Sequence, residues 1–387
     1  MPNKSALPIT ATQLMTPKLS WRKTSRRLHL YLGLSVGVLL TIISLSGSVL
    51  VYYPQIDSLL NPINDTTTNT KIPDWDKAYS KLRKNFPSKL GPWRLENTGV
   101  NSIVPARYYN PIETKEHGFA PLMVWLSSDN DEVIRKDYWG EYLVTWIYNL
   151  HFSLLTGATG TLVVGYIGIA TLLLLISGFF AWFPKPGQWI KSLKFKRRSS
   201  KIGLLYDWHK LIGLALCIPL LVLTATGVML AIPKQTDPVL IALVSNINSP
   251  SKTQMQANKQ SNIPLSKAIL IAQKALPNAR LAWIETPSNL NAIYRLRFQT
   301  VNDPSYRFPH SYIELNALTG KLESVFNIDR QSTASKIKNW MHPLHDGSIG
   351  GNILKVIWVL SGFGSAALFI IGVYRWLVRT KRIQNKL

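Results

Sequence analysis

Cysteine is almost missing from this chain. Cys217 is the only one in 387 residues, which excludes an intrachain disulfide, a Cys-ligated iron–sulfur cluster, a zinc ribbon and any Cys-x-x-Cys-His attachment motif. No G-x-G-x-x-G fingerprint occurs either, so the sequence carries no sign of a dinucleotide-binding βαβ unit. Acidic residues are scarce, with 20 Asp and Glu against 44 Lys and Arg and a net charge of +24. Such an excess raises nucleic acid as a partner, but its distribution argues for a membrane instead.

Four stretches are dominated by apolar residues over about 20 positions or more, enough to cross a hydrocarbon core of about 30 Å as helices. They are Leu28 to Tyr53, Thr161 to Phe183, Leu211 to Ile232 and Ile353 to Val378. The cations sit between them in a regular way. Lys4, Lys18, Arg22, Lys23, Arg26 and Arg27 precede the first stretch, eight more lie between the second and third, and Arg379, Lys381, Arg382 and Lys386 follow the fourth. All three short segments are therefore basic, which places them and both termini in the cytoplasm. The first stretch follows a long polar segment and lacks a small-residue cleavage pattern, so it reads as an anchor rather than a removable leader.

The expected division is a cytoplasmic segment (1–27), a first span (28–53), an outer module (54–141), an interfacial segment (142–160) and a second span (161–183). A basic cytoplasmic loop (184–208) leads to a third span (209–232), a second outer module (233–331), an interfacial segment (332–351), a fourth span (352–378) and a cytoplasmic tail (379–387). Each outer module reads as α+β. Asp76 to Phe86 and Leu265 to Leu276 are amphipathic and stop at Pro87 and Pro277. Tyr294 to Phe298, Ser311 to Leu315, Leu122 to Leu126 and a segment near Val133 read as strands, with a polar turn at 127–131. Polar runs around 61–70 and 246–262 read as connectors.

The two halves are copies of one another. A shift from 29 to 209 superimposes His29 on His209, Gly33 on Gly213, Ser46 on Thr226 and Gly47 on Gly227 without a gap. A slightly larger shift, from 151 to 345, superimposes Trp146 on Trp340, His151 on His345, Gly178 on Gly372 and Trp182 on Trp376. The unit of span, outer module and return span is thus given twice in one orientation, implying a pseudo-two-fold axis along the membrane normal.

The helix, strands and Asn-Ala-Leu-Thr-Gly-Lys-Leu turn between Pro264 and Val325 resemble a PepSY domain, and the whole chain resembles the PepSY-associated transmembrane family. The resemblance implies an α-helical membrane protein of four spans in two parallel repeats, carrying two PepSY-like extracytoplasmic (periplasmic) α+β domains in the bacterial inner membrane. It also implies a link to iron uptake, since some members resemble di-haem ferric-siderophore reductases.

Four of the seven histidines occupy repeat-matched positions at span ends: His29 and His209 on the cytoplasmic side, His151 and His345 on the outer side. Ionisable side chains near a bilayer are costly and tend to have partners. One imidazole from each half can supply both axial ligands of a haem iron, whereas zinc would want a third or fourth ligand that nothing nearby provides. The expected cofactors are therefore two non-covalent b haems. Gly33 and Gly213, one turn beyond His29 and His209, leave room for a flat macrocycle or for close helix packing. Arg26, Arg27 and Lys210 are placed to neutralise propionates. Met-His-Pro-Leu-His offers His342 as well as His345; the repeat selects His345 and leaves His342 as a neighbour or alternative ligand. His117 and His310, without repeat partners, read as surface residues. The expected function is electron transfer from a cytoplasmic-side donor, a protein or quinol, to a ferric siderophore or other iron complex outside. A non-catalytic protein that binds peptides or restrains a protease is one alternative, and a transporter is another. The spans, however, lack the carboxylates that usually couple transport to ions.

Overall fold

The protein is described by a computed structural model covering residues 21–63, 73–99, 103–127, 132–196, 200–244 and 262–384. The expected connectors, the turn after Ser127 and the cations Lys4, Lys18, Arg197, Arg198 and Lys386 lie wholly or largely outside the described residues. The first half runs α1 (Trp21–Leu50), α2 (Tyr53–Leu60), α3 (Trp75–Asn85), β1 (Trp93–Glu96), β2 (Val104–Tyr108), β3 (Leu122–Leu126), β4 (Val133–Tyr138), α4 (Leu143–Ser153) and α5 (Gly157–Trp182). A short α6 (Trp189–Leu193) links to the second half: α7 (Lys201–Ala215), α8 (Cys217–Ala231), α9 (Pro233–Leu243), α10 (Leu265–Ala275), β5 (Arg280–Glu285), β6 (Ile293–Gln299), β7 (Ser311–Asn316), β8 (Leu322–Phe326), α11 (Thr333–His345) and α12 (Gly351–Gln384).

Three helices, α1, α5 and α12, are long and apolar enough to cross a membrane, and α7 with α8 forms a fourth candidate span bent by 58°. The bend follows from Pro219, which lies in the first turn of α8. Its ring cannot coexist with the carbonyl of Ala215 in a straight helix, and it donates no hydrogen bond. At 30 and 34 residues α1 and α12 outrun the apolar stretches read from sequence. At helical rise they reach about 45 and 51 Å, beyond a hydrocarbon core of about 30 Å.

Small residues hold the bundle together. Inside it lie Gly37, Ser46 and Ser48 of α1, Gly165, Thr171 and Ser177 of α5, and Ser361 and Ser365 of α12, while Ile42, Ile176 and Phe363 point outward. Lipid chains are as apolar as leucine, so close backbone approach and dispersion, not water exclusion, drive such packing. At Gly168 an added Cβ would meet the side chain of Val228 at 2.5 Å, which shows how near α5 and α8 run.

The two outer modules do not remain separate. Their strands merge into one eight-stranded antiparallel sheet in the order β4-β3-β2-β1-β5-β6-β7-β8. The seam is β1 against β5, in the register Arg94↔Glu285, Leu95↔Ile284 and Glu96↔Trp283. Pairing across the pseudo-two-fold axis removes two open edges. One continuous core spans both modules. Leu95, Ala106, Leu122, Ile284, Leu296 and Ile313 on one sheet face pack under Leu82 of α3 and Ala268 of α10. Asp74 caps α3 through the Lys77 amide, and the Asp76 carboxylate accepts the Leu265 and Ser266 amides at the start of α10. The opposite sheet face turns toward the helix bundle. Arg135 of β4 bonds Asp57 of α2 at 2.8 Å, and Lys338 of α11 bonds Asp237 of α9 at 2.6 Å. Asp57 and Asp237 are repeat-equivalent, so each half ties its own span to the sheet end with a matched carboxylate.

Candidate functional site

An α-helix hides its carbonyl oxygens beneath the side chains one turn later. Glycine at position i+4 uncovers the carbonyl of residue i, whose second lone pair can then accept from a neighbouring side chain. This device occurs four times. His29 of α1 lies over Gly178 of α5 and donates from Nδ1 to the Leu174 carbonyl at 3.0 Å. His151 of α4 lies over Gly47 of α1, with Nδ1 2.8 Å from the Ile43 carbonyl. His345, the last residue of α11, lies over Gly227 of α8, with Nδ1 3.1 Å from the Leu223 carbonyl. His209 of α7 lies over Gly372 of α12, with the Leu368 carbonyl as its backbone partner. There the geometry is looser, and Nδ1 falls short of a full hydrogen bond.

The glycines are tightly occupied. A Cβ would come within 2.8 Å of the His29 ring at Gly178, 2.7 Å of His151 at Gly47, 3.0 Å of His345 at Gly227 and 3.4 Å of His209 at Gly372. At the sheet end a hydroxyl joins each ring: Ser46 Oγ is 3.4 Å from His151 Nδ1, and Thr226 Oγ1 is 3.0 Å from His345 Nδ1. Committing Nδ1–H to a carbonyl selects the tautomer whose Nε2 keeps its lone pair, the usual arrangement of a metal-ligating imidazole.

The four rings form two pairs, each with one member from either half. His151 and His345 have ring centroids 6.0 Å apart and planes at 40°. His29 and His209 are also 6.0 Å apart, with planes at 82°. Residues 29 to 47 of α1 cover about 27 Å of helical rise, so the two pairs lie toward opposite ends of the bundle. All four histidines line one cavity of about 2060 Å³ that runs along the bundle and opens beneath the sheet. Among the described residues, no group of three or more His, Cys, Asp or Glu could hold a metal ion.

Other residues singled out in the sequence take up distinct positions. Gly33 and Gly213 line the cavity, but the imidazoles rest on the other glycines; a Cβ at Gly33 would meet only Leu174 at 3.8 Å, and one at Gly213 only Leu368 at 3.7 Å. Arg26 lines the far end of the cavity, Arg27 does not, and Lys210 is held 3.0 Å from Asp207. His342 also lines the cavity but is not part of the ring pair, lying 3.5 Å from Asp346 and 4.4 Å between centroids from Phe308. His310 departs from its expected place at the surface. It is half-buried with Nδ1 enclosed, and burial pushes it down to about 4, because this residue, just before β7, lies against Asn339 and Arg297. Sequence reasoning missed Arg375, which lies inside the expected fourth span, and counted Arg379 only as a basic tail residue; both join Arg26 at the far end. It also missed the role of the four cradle glycines, although each was already a repeat-matched position.

A polytopic helical membrane protein with two matched histidine pairs in its bundle, capped by a single sheet at one end, is the class that fold and site define. Residues 26–379 match the family model described as the PepSY-associated TM region, and the chain belongs to that family. Among curated proteins none matches it.

Proposed function

We propose that this protein carries electrons across the membrane between two b-type haems and delivers them to a ferric chelate, a ferric siderophore or similar iron complex, at the sheet end. The observation that carries the reading is the fourfold cradle. Four imidazoles, each lying over a glycine and three of them bonded through Nδ1 to a backbone carbonyl, meet as two pairs. The spacing fits an iron held between them. Both centroid separations are 6.0 Å, which would leave room for one metal ion shared by two imidazoles. Mostly apolar walls between the pairs suit a porphyrin, and Arg26, Arg375 and Arg379 suit its carboxylates at the far end.

An iron porphyrin bound at each pair would supply one-electron redox chemistry at opposite faces of the bilayer. In this reading the chain's own work is to present the paired imidazoles, to fix Nδ1–H of His29, His151 and His345 on a carbonyl and to line the passage between the pairs with mostly apolar side chains. The basic short segments support a reading in which the sheet end faces outward from a bacterial inner membrane and both termini are cytoplasmic. Reducing ferric iron weakens its hold on a hard oxygen chelator, because Fe(II) has lower charge and softer preferences. In this reading the donor is a separate protein or a quinol, in keeping with a sequence that carries no G-x-G-x-x-G fingerprint.

The test is the visible spectrum and haem-to-protein ratio of the protein purified from cells with ample haem. A Soret band, a reduced α-band and two haems per chain are expected. A colourless preparation sinks the proposal. His151→Ala and His345→Ala each remove the haem at the sheet end and spare the other, while His29→Ala and His209→Ala do the reverse.

A further inference from the structure

The sheet face turned toward the bundle is rich in arginine and aromatic rings, and it roofs the cavity next to His151 and His345. Alternation along β1 and β2 sends Trp93, Leu95 and Ala106 into the core and Arg94, Glu96 and Arg107 toward the cavity. Both arginines are almost wholly enclosed, their side chains 5% and 7% exposed. Burying a guanidinium is expensive unless acceptors replace its water. Here the acceptors fall short. Arg94 bonds the Tyr109 hydroxyl at 2.9 Å, and among the described residues Glu96 is the carboxylate paired with both, 3.2 Å from Arg94 and 3.7 Å from Arg107. Nε of Arg94 and Nε of Arg107 are buried with no hydrogen-bond partner.

Aromatic rings fix the planes of these cations. Arg94 lies 3.0 Å over Trp283, and Arg107 lies 5.1 Å over Trp139. Arg307, from the segment between β6 and β7, lies 4.3 Å over Tyr53. A guanidinium stacked on a ring keeps its N–H edge free, and that edge matches a carboxylate or another planar oxyanion in a fork geometry. Five cations line this end of the cavity, Arg94, Arg107, Arg135, Arg307 and Lys355, against the carboxylates of Asp57, Glu96 and Asp346. Arg135 already has Asp57, and Asp346 is engaged with His342.

We infer that the chamber under the sheet recognises an iron chelate of net negative charge, one that presents carboxylate or catecholate oxygens, through Arg94, Arg107 and Arg307. The inference rests on the proposed function, since it names the acceptor class at that same end. A neutral chelate would leave the buried guanidinium edges without acceptors. The same carboxylate chemistry has a second source, the propionates of a porphyrin between His151 and His345, and the test separates the two.

The experiment is equilibrium dialysis of the full-length protein in nanodiscs against Ga(III)–citrate and a neutral Ga(III) tris-hydroxamate, with bound gallium measured by elemental analysis. Gallium(III) mimics ferric iron in size and charge and cannot be reduced by the protein, so binding is read apart from electron transfer. Ga(III)–citrate is expected to bind at least tenfold more tightly than the neutral chelate, and to weaken severalfold between about 0.05 and 0.5 M salt. R94Q, R107Q and R307Q are each expected to lose tenfold or more of the citrate affinity while keeping the haem ratio of the parent. Equal affinity for the two chelates in the unmodified protein overturns the inference whatever the variants do. So does the absence of binding to either chelate, or the loss of one haem from R94Q or R307Q together with undiminished chelate binding, which would assign the arginines to propionates. A colourless protein that still prefers Ga(III)–citrate sinks the electron-transfer reading and supports the charge preference. A haem-loaded protein without the preference does the opposite.

Discussion

The two histidine pairs are built on one plan and finished differently. At the sheet end both rings share their Nδ1 with a hydroxyl as well as a carbonyl, and the planes stand at 40°. At the far end carbonyls alone serve, His209 is loosely held, and the planes stand at 82°. The rings at the sheet end arrive on short helices, α4 and α11, outside the spans, whereas His29 and His209 project from the spanning helices themselves. A ligand carried on a separate helix can be oriented independently of the bundle, and the extra hydroxyl adds a second restraint on its ring. The duplicated cradle therefore gives two similar sites, and what surrounds each cradle makes them unequal.

The severest way to break this comparison is to fill a cradle. Gly47→Leu would drive a side chain into His151, whose Cε1 lies 2.7 Å from the position of a Cβ. On the proposed di-haem reading, half of the bound haem should disappear, with the far-end signal intact; loss of both would show that the pairs are not independent. A finer cut separates the two glycines at the far end. Gly178→Ala places its methyl 2.8 Å from the His29 ring, Gly372→Ala only 3.4 Å from His209. The first should lower haem retention markedly and the second little, because an approach of 3.4 Å is ordinary contact. Equal effects would mean that the looseness at His209 has no consequence.

Smaller still is the hydroxyl. Thr226→Val keeps shape and removes the oxygen 3.0 Å from His345 Nδ1. A hydrogen bond of about 1 kcal/mol corresponds to roughly 40 mV in a one-electron couple, and losing an acceptor from Nδ1–H makes the ligand less electron-rich. On the proposed di-haem reading, the midpoint potential at the sheet end should rise by up to that amount while the other stays fixed, as a spectroelectrochemical titration would reveal.

The smallest effect concerns the sheet, away from both pairs. His310 is pushed by burial to about 4, with Arg297, His342 and Lys338 adding like charge. A histidine kept neutral in the fold contributes fully above its unfolded value near 6.5, and that contribution fades as pH falls from there toward 4. Asp303, which burial holds above the usual carboxylate value, titrates in the opposite sense. His310→Asn should therefore flatten the loss of amide-exchange protection in β7 between pH 6.5 and about 4. An unchanged slope would assign the acid sensitivity elsewhere.

Much of this arrangement was legible in the chain. The spans could be read because apolar length is a local property, and the strands Tyr294 to Phe298 and Ser311 to Leu315 because alternation is local too. The strands β1, β2 and β5 were not read. Each mixes arginine with tryptophan or tyrosine, and the pattern makes sense only once one face is a core and the other a chamber. The bend between α7 and α8 needed Pro219 to be weighed against an uninterrupted apolar run. His310 was misread because its burial depends on α11, which is distant in sequence.

By itself the sequence determined that two copies of one membrane unit exist and that four histidines occupy matched places, since repeats and hydropathy are written residue by residue. Tertiary structure decided which glycine each imidazole rests on, which carbonyl it bonds, and that two outer modules become one sheet with an arginine-lined underside. Those outcomes depend on helices and strands from different halves meeting at a few ångströms, and contacts of that kind have no local signature in the chain.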